Sequence, residues 1–394
     1  MQTQGQVRSA NLAAVLACLR DGGPRSRARL AADTGLTKAT VSSLVAELVE
    51  RGLVVEGALV RPGSVGRPST LVELDGRGFC GIGVEVNVDY LAALALDPTG
   101  TVRRETRLAL DVAALAPAEV LARASALVSE VRAGQGAAAV GLTVAVPGQV
   151  QGAVVRTAPN LPRWVGTDVA AGFADQGLPV TVANDADLSA LAEVSAGPHA
   201  HVADLVYLTG EVGVGGGVVT GGQLLRGSTG VGGEVGHLAL TPGDAVCGCG
   251  RTGCWETVVG LAALLRAAAD PGDPLRDPGR DLEDRLAEVV ARARAGDART
   301  LEALAGIGTG LGVGAAVLVA LFDPAVVVLG GYFAEVGEFL LDPLRAALAQ
   351  RVEDADRVVL STLGFTAAVR GGAHVALQPV FDNPTSVPLL EAPA

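Results

Sequence analysis

Apolar residues recur at helical spacing three times in the first fifty positions. Leu12, Val15, Leu16 and Leu19 share one face of a first helix that must end before Asp21-Gly22-Gly23-Pro24. Ser26 can cap a short second helix reaching Thr34, with Gly35 turning the chain. Thr37 can cap a third helix, whose buried stripe is Val41, Leu44, Val45, Leu48 and Val49 and whose end is Gly52. The period then changes. Leu53-Val54-Val55 and a returning strand, Thr70 to Leu74, enclose a loop with Arg61-Pro62 and Gly66-Arg67-Pro68. Helix, helix, tight turn, helix and ribbon together predict a winged helix-turn-helix over residues 1–74.

From Phe79 onward the pattern is strands divided by glycine turns. Gly81 to Val88 and Tyr90 to Leu96 read as a hairpin, followed by a strand near Val102 to Leu110, an amphipathic helix over 117–132 and a buried strand, Ala138 to Val146. A second unit opens in the same way, with Leu205 to Leu208 and then Gly216 to Thr220, and Ala325 to Leu329 is a later buried strand. Strand, loop, strand at the head of each half predicts two related α/β lobes around a cleft. These lobes fall at about 79–200 and 201–375 of a body spanning 79–394. The run Gly213 to Gly217 reads as a tight bend and Asp270 to Arg280 as a solvated loop. Ala298 to Leu321, apolar with interspersed glycines, reads as closely packed helix at a lobe or subunit interface. The tail from Asp382 to Ala394 is expected to fray or to pack back.

With 394 residues and 49% hydrophobic content, the chain is too long for one core and too apolar to be disordered. No uninterrupted apolar run is expected to span a bilayer, and the first ten residues lack a signal-peptide pattern. Five cysteines, three of them clustered, fit a reducing cytoplasm better than a disulfide framework. Charge changes the picture more. The net charge is −12, yet residues 1–72 hold nine basic and five acidic groups, or +4, leaving 21 and 37, or −16, for the remainder. A basic head on an acidic body is the asymmetry of a DNA-reading module joined to something else. The outward positions at the start of the third helix, Thr37, Lys38, Thr40, Ser42 and Ser43, suit close approach to phosphates and base edges. Arg67 at the wing tip suits a minor groove. The alternative is a protein-docking module with a solvated basic face.

The densest chemistry lies at His237, Cys247, Cys249 and Cys254. One imidazole and three thiols at loop spacing make a full tetrahedral set for one zinc ion per chain, with no open position for catalysis. The bland alternative is a group of unliganded buried thiols. A staple there would hold Glu234 before the cluster and Glu256 after it.

Several segments resemble the ROK group of repressors, uncharacterised frames and sugar kinases. They are Glu234-Val-Gly-His237, Cys247-Gly-Cys249-Gly-Arg-Thr-Gly-Cys254-Trp-Glu256, Asn184-Asp185-Ala186, Pro159-Asn160-Leu161-Pro162 and the glycine-rich stretch from Leu208 to Gly217. The resemblance covers nearly the whole chain and, with the helix-turn-helix, points to the repressor branch. It implies an actin-like, ribonuclease-H-like body. It also implies a sugar held by Asn160, Asn184, Asp185, Glu234, His237 and Glu256, with Asp185 where the kinases keep their general base.

The same resemblance exposes a departure. Where the kinases have a glycine-rich phosphate cradle, this chain carries Glu85, Val86, Asn87, Val88 and Asp89, and Glu211 and Val212 replace a threonine and a glycine in the second turn. Carboxylates facing a triphosphate oppose its binding. The expectation is therefore not an enzyme but a transcription regulator, a repressor responding to a sugar or sugar phosphate. It would bind a palindromic double-stranded operator as a homodimer or dimer of dimers, with no membrane partner. The alternative is an ATP-dependent hexose or N-acyl-hexosamine kinase.

Overall fold

The computed structural model describes residues 4–60, 69–134, 136–195, 199–200, 202–228, 230, 232–241, 244–277 and 279–387. In the head, helices Gln4–Gly22, Arg27–Thr34 and Lys38–Glu50 close on Leu12, Val15, Leu16, Leu30, Leu44 and Leu48. Ser26 and Thr37 act as the expected caps, accepting from the N–H groups of Arg29 and Thr40 at 3.2 and 3.1 Å. Gly35 turns the chain at φ 70°, a left-handed conformation that costs glycine little. Val49 departs from the expected stripe and is 39% exposed, because it falls at the edge of the face set by Val41, Leu44, Val45 and Leu48. The ribbon pairs Val54–Val60 with Ser69–Leu74, which pairs in turn with the short strand Arg25–Ser26. The predicted wing tip, Arg67 included, lies outside the described residues.

The body builds one strand order twice. The first sheet runs Val180–Asn184, Ala138–Val146, Phe79–Val86, Tyr90–Leu96, Val102–Ala109. The second runs Val358–Leu360, Val326–Gly331, Leu205–Gly210, Val214–Thr220, Gln223–Leu224. In each, the first three strands in chain order pair antiparallel and the last two join in parallel. The duplication that the sequence hinted at is thus a two-lobed, actin-like α/β body. Ile82, Val84, Leu91, Val128 and Leu142 centre one lobe; Leu208, Leu264, Leu311, Leu329 and Phe333 centre the other.

Some segments differ from their sequence reading. Gly215 to Gly217 are not a bend but part of the strand Val214–Thr220; the turn is Glu211 to Gly213. The glycines are there for close approach: a Cβ on Gly217 would come within 2.6 Å of the Ala186 carbonyl oxygen, so the helix Asp185–Ser195 lies directly on the strand. Ala298–Phe322 is one helix, and by length and composition it is long and apolar enough to cross a membrane, contrary to expectation. Here it is a core helix, with Leu304, Leu311, Ala315 and Leu318 buried. The stretch after Asp270 is anchored by the buried Leu275 and by an Asp273–Arg292 ion pair at 2.7 Å.

The C-terminal helix Ala367–Asp382 returns to the first sheet. Cβ atoms on Gly81 and Gly83 would lie 2.2 and 1.9 Å from the carbonyl oxygens of Ala373 and Val369, so only glycine admits this contact. Further along the helix, Leu377, Val380 and Phe381 share one core with Leu12, Leu16 and Leu19 of the head. The following residues do not fray as far as Val387. Ser9 donates to Asn383 at 2.8 Å, and Arg51 donates to the carbonyls of Thr385, at 3.4 Å, and Val387.

Candidate functional site

Two loops and a helix start converge between the lobes on a cavity of about 510 Å³. All six residues that the family resemblance implied for a sugar, Asn160, Asn184, Asp185, Glu234, His237 and Glu256, line it. Their local roles differ. Asn184 ends a strand and caps the following helix: its oxygen accepts from the Asp187 N–H at 3.1 Å, and its amide donates to the Gly148 carbonyl at 2.9 Å. Both ends are thereby engaged in positioning Asp185. Asp185 opens the helix and accepts from the Ala186 N–H at 2.8 Å. Burial raises its carboxyl above the usual range against that hydrogen bond, and Glu234 adds to the rise. Across the cavity Asn160 and Glu256 meet over Gly213, where a Cβ would sit 2.8 Å from Glu256 Oε2 and 3.2 Å from Asn160 Nδ2.

His237 links this pocket to the cysteine cluster. Its Nε2 lies 3.8 Å from Glu234 Oε2, while its Nδ1 lies 3.5 Å from Cys247 Sγ. Cys249 Sγ and Cys254 Sγ are 3.7 Å apart, and one donor atom from each of the four residues lies within 4.8 Å of every other. A tetrahedral zinc ion with Zn–S near 2.3 Å requires S···S of roughly 3.8 Å and S···N of roughly 3.6 Å, so the donor set fits a metal of that size. Arg251 donates to Cys249 Sγ at 3.4 Å and, against the burial that would raise it, draws this thiol down to about 6. Trp255 fastens the loop: its indole donates to Gly310 O at 2.9 Å, and a Cβ on Gly314 would come within 2.1 Å of its ring.

The floor of the cleft is acidic. Glu85, 1% exposed, accepts from the Tyr90 hydroxyl at 2.6 Å and from Asn87 Nδ2 at 3.3 Å through one oxygen; its other oxygen is buried with no partner among the described residues. Asn87 donates also to Glu211, which joins the first lobe to the second. Burial raises both carboxyls, Glu211 well above its ordinary range; Asp185 adds to the rise of each, and Glu85 adds to that of Glu211. Glu85, Asn87 and Glu211, three of the positions at which the sequence departs from the kinases' cradle, are thus joined through the Asn87 amide.

The sequence reading did not single out Asp187 and Arg226, which face the same cavity. Burial pushes Asp187 up to about 7, with Arg226 opposing. The signal was Asp187's spacing of two from Asp185; nothing marked Arg226. In the head, Lys38 is exposed at the start of the third helix and Ser42 is half-buried. Thr37 and Thr40 share a hydroxyl contact of 2.8 Å within the cap, and Ser43 is held by Arg8 at 3.4 Å.

The chain matches the ROK family over residues 81–378 and the IclR helix-turn-helix domain over residues 10–57. It is 28% identical over 361 residues to a putative xylose repressor of Caldicellulosiruptor sp. strain Rt8B.4, covering 89% of this chain and 90% of that one. The crystal structure of a ROK family transcriptional regulator, a homologue of the E. coli MLC protein, superposes with a TM-score of 0.75 at 25% identity, covering 95% and 97% of the two chains. A ROK family glucokinase from Streptomyces griseus, solved with glucose and AMPPNP, aligns with 76% of this chain and 99% of its own, at 28% identity and a TM-score of 0.66.

Proposed function

The chain belongs to the ROK family, and from that premise we propose that it is a sugar-responsive transcriptional repressor whose cleft binds a sugar without phosphorylating it. The observation that carries this reading is the junction, in one chain, of a helix-turn-helix head to a ROK body whose cleft gathers Asn160, Asn184, Asp185, Glu234, His237 and Glu256, with Asn87 bonded to both Glu85 and Glu211 beside it. Likeness to a putative xylose repressor and to a ROK transcriptional regulator over about nine-tenths of the chain supports it. A glucokinase, by contrast, aligns with only 76% of this chain while 99% of its own length is covered.

Asp185, Asn160, Glu234 and Glu256 accept and donate to sugar hydroxyls, fixing the epimer by paired hydrogen bonds. His237 holds zinc through Nδ1 together with Cys247, Cys249 and Cys254, and turns Nε2 toward the pocket. The zinc ion supplies a structural cross-link that fixes the loop bearing Glu256. Asn160 belongs to the first lobe, whose core holds Ala158 and Leu161, and Glu234 and Glu256 belong to the second, so a bound sugar draws the lobes together. The helix Ala367–Asp382, which touches the first sheet and the head, carries the change to the third helix, where Thr37, Lys38, Thr40, Ser42 and Ser43, with Arg67 on the wing, meet a two-fold operator as a dimer or dimer of dimers. A differential affinity of ~2–3 kcal/mol between open and closed forms shifts operator occupancy by roughly one to two orders of magnitude.

Asp185, raised by burial and lining the cleft, favours one second reading, a sugar kinase that kept its head. Operator retardation titrated with a panel of pentoses, hexoses and their phosphates, run beside a coupled ADP-release assay, separates the two. The repressor reading expects one sugar to alter retardation with no ADP release; turnover with any sugar would contradict it.

A further inference from the structure

A second cavity, of about 580 Å³, opens between the head and the body. Leu19 and Arg20 at the end of the first helix and Leu74 on the wing strand form its head side. Leu377, Phe381, His374 and Arg370 of the helix Ala367–Asp382 face them, and Ala192 and Ser195 close one end. Its size falls in the range of small-molecule sites, roughly 300–1,000 Å³, and its walls combine an apolar bed with a few polar groups.

The polar groups are unequally committed. Asp97, at the rim, accepts from Thr99 N–H at 2.9 Å, Thr99 Oγ1 at 2.6 Å and Thr101 N–H at 3.1 Å, and so serves its own turn. Glu73 lies over Gly57, where a Cβ would approach it to 3.1 Å. Arg20 is neutralised by Asp21 at 2.7 Å and rests over the Phe381 ring, 5.2 Å from its centre. Arg370 is different. It donates to Thr366 Oγ1 at 2.8 Å and has no carboxylate partner among the described residues. One turn along the same helix, His374 has no hydrogen-bond partner among the described residues. Burial, with Arg20 adding, holds its imidazole down to about 4, so it is neutral at pH 7 and free to donate. A partly buried cation and an idle imidazole beside an apolar bed fit an anion with a hydrophobic body.

We propose that this crevice is a second ligand site, taking a small amphipathic carboxylic acid whose charged end meets Arg370 and His374 and whose apolar part lies against Leu19, Leu377 and Phe381. Such a ligand touches head and body at once and fixes their relative orientation. The crevice is also tied to the sugar cleft by a shared element. The helix Asp185–Ser195 begins with Asp185 in the cleft and ends with Ala192 and Ser195 in the crevice, the latter about 15 Å away at the rise of an α-helix. The helix Ala367–Asp382 lies so close on it that a Cβ on Gly371 would come within 1.9 Å of the Leu188 carbonyl oxygen. Occupancy of the crevice does not depend on the repressor reading; its effect on operator binding rests on that reading.

The test uses anilinonaphthalene sulfonate, an aromatic amphipathic anion that fluoresces when shielded from water, with the full chain and the variants Arg370→Gln and Ser195→Trp. One probe binds per chain and is displaced by phenylacetate or hexanoate. Arg370→Gln weakens it about tenfold, the worth of one charge-assisted hydrogen bond, and Ser195→Trp, which fills the end of the crevice, abolishes it. Near-ultraviolet circular dichroism confirms that each variant is folded; Arg370→Gln keeps a donor for Thr366 and so answers alone if the tryptophan variant is not. Equal probe binding by wild type and a folded Arg370→Gln chain, or no stoichiometric binding by wild type, overturns the proposal. The readout is occupancy of the crevice, so failure of the sugar-repressor reading leaves it unaffected.

Discussion

Replacing Glu85 by glutamine removes one charge from the floor of the cleft while keeping the oxygen that Tyr90 and Asn87 hold. The amide nitrogen falls where the second carboxylate oxygen is buried without a partner among the described residues. Burial, with Asp185 adding and Tyr90 opposing, pushes the Glu85 carboxyl up to about 7 from an ordinary 4.5. A carboxyl raised in the folded state binds its proton more tightly there than in the unfolded chain. It therefore costs nothing below pH 4.5, and stability declines as pH rises toward 7. At about 1.4 kcal/mol per unit the penalty at pH 8 is on the order of 3 kcal/mol. At ~2.1 cal/mol/K per residue, unfolding all 394 residues carries an entropy of ~0.8 kcal/mol/K, so Glu85→Gln should raise Tm by about 3–4 °C at pH 8. At pH 5 the penalty is only about 0.8 kcal/mol, so the gain should shrink to about 1 °C. His374, whose lowered value costs stability as pH falls from 6.5 toward 4, acts equally on both proteins and cancels from the difference. Differential scanning calorimetry from pH 5 to 8 measures this. A difference that is absent at pH 8, or equal at the two ends, would refute the account of a strained acidic floor.

Other perturbations probe separate parts. Elemental analysis should find one zinc per wild-type chain and a substoichiometric amount in Cys254→Ser, whose Tm should also fall because the loop loses its cross-link. Gly371→Ala drives a Cβ onto the Leu188 carbonyl and should cost about 1–3 kcal/mol in urea unfolding, as overpacking does; a neutral result would mean that the two helices separate freely. Lys38→Ala should weaken operator binding across sequences and lower the slope of log affinity against log salt by about 1, leaving sugar affinity untouched. An unchanged slope would remove Lys38 from the phosphate contacts.

Much of this was legible because it rests on local chemistry. Capping by Ser26 and Thr37, the stripe through Leu44 and Leu48 and the hairpin of Phe79–Val86 with Tyr90–Leu96 follow from spacing alone. The gathering of His237 with three cysteines followed from donor type and interval. That Asn160, Asn184 and Asp185 share a cavity with Glu234 came from family likeness, since no periodicity brings residues of two lobes together. What escaped was long-range. The run Gly215 to Gly217 looked like a bend because glycine marks turns and close approaches alike, and only the helix lying on it distinguishes them. The docking of residues 383–387 on the head depends on Arg51 and Ser9, more than three hundred positions away. The bond from Asn87 to Glu211 likewise spans two lobes.

The central claim is that the cleft grips a sugar but no longer accommodates a nucleotide. Titration calorimetry of the full chain with a panel of sugars, each repeated in saturating magnesium-ATP, tests it most directly. The account predicts one binding event per chain for some sugar, the same heat and affinity with nucleotide present, and unaltered sugar recovered at the end. A nucleotide-dependent heat accompanied by phosphorylated sugar would contradict it.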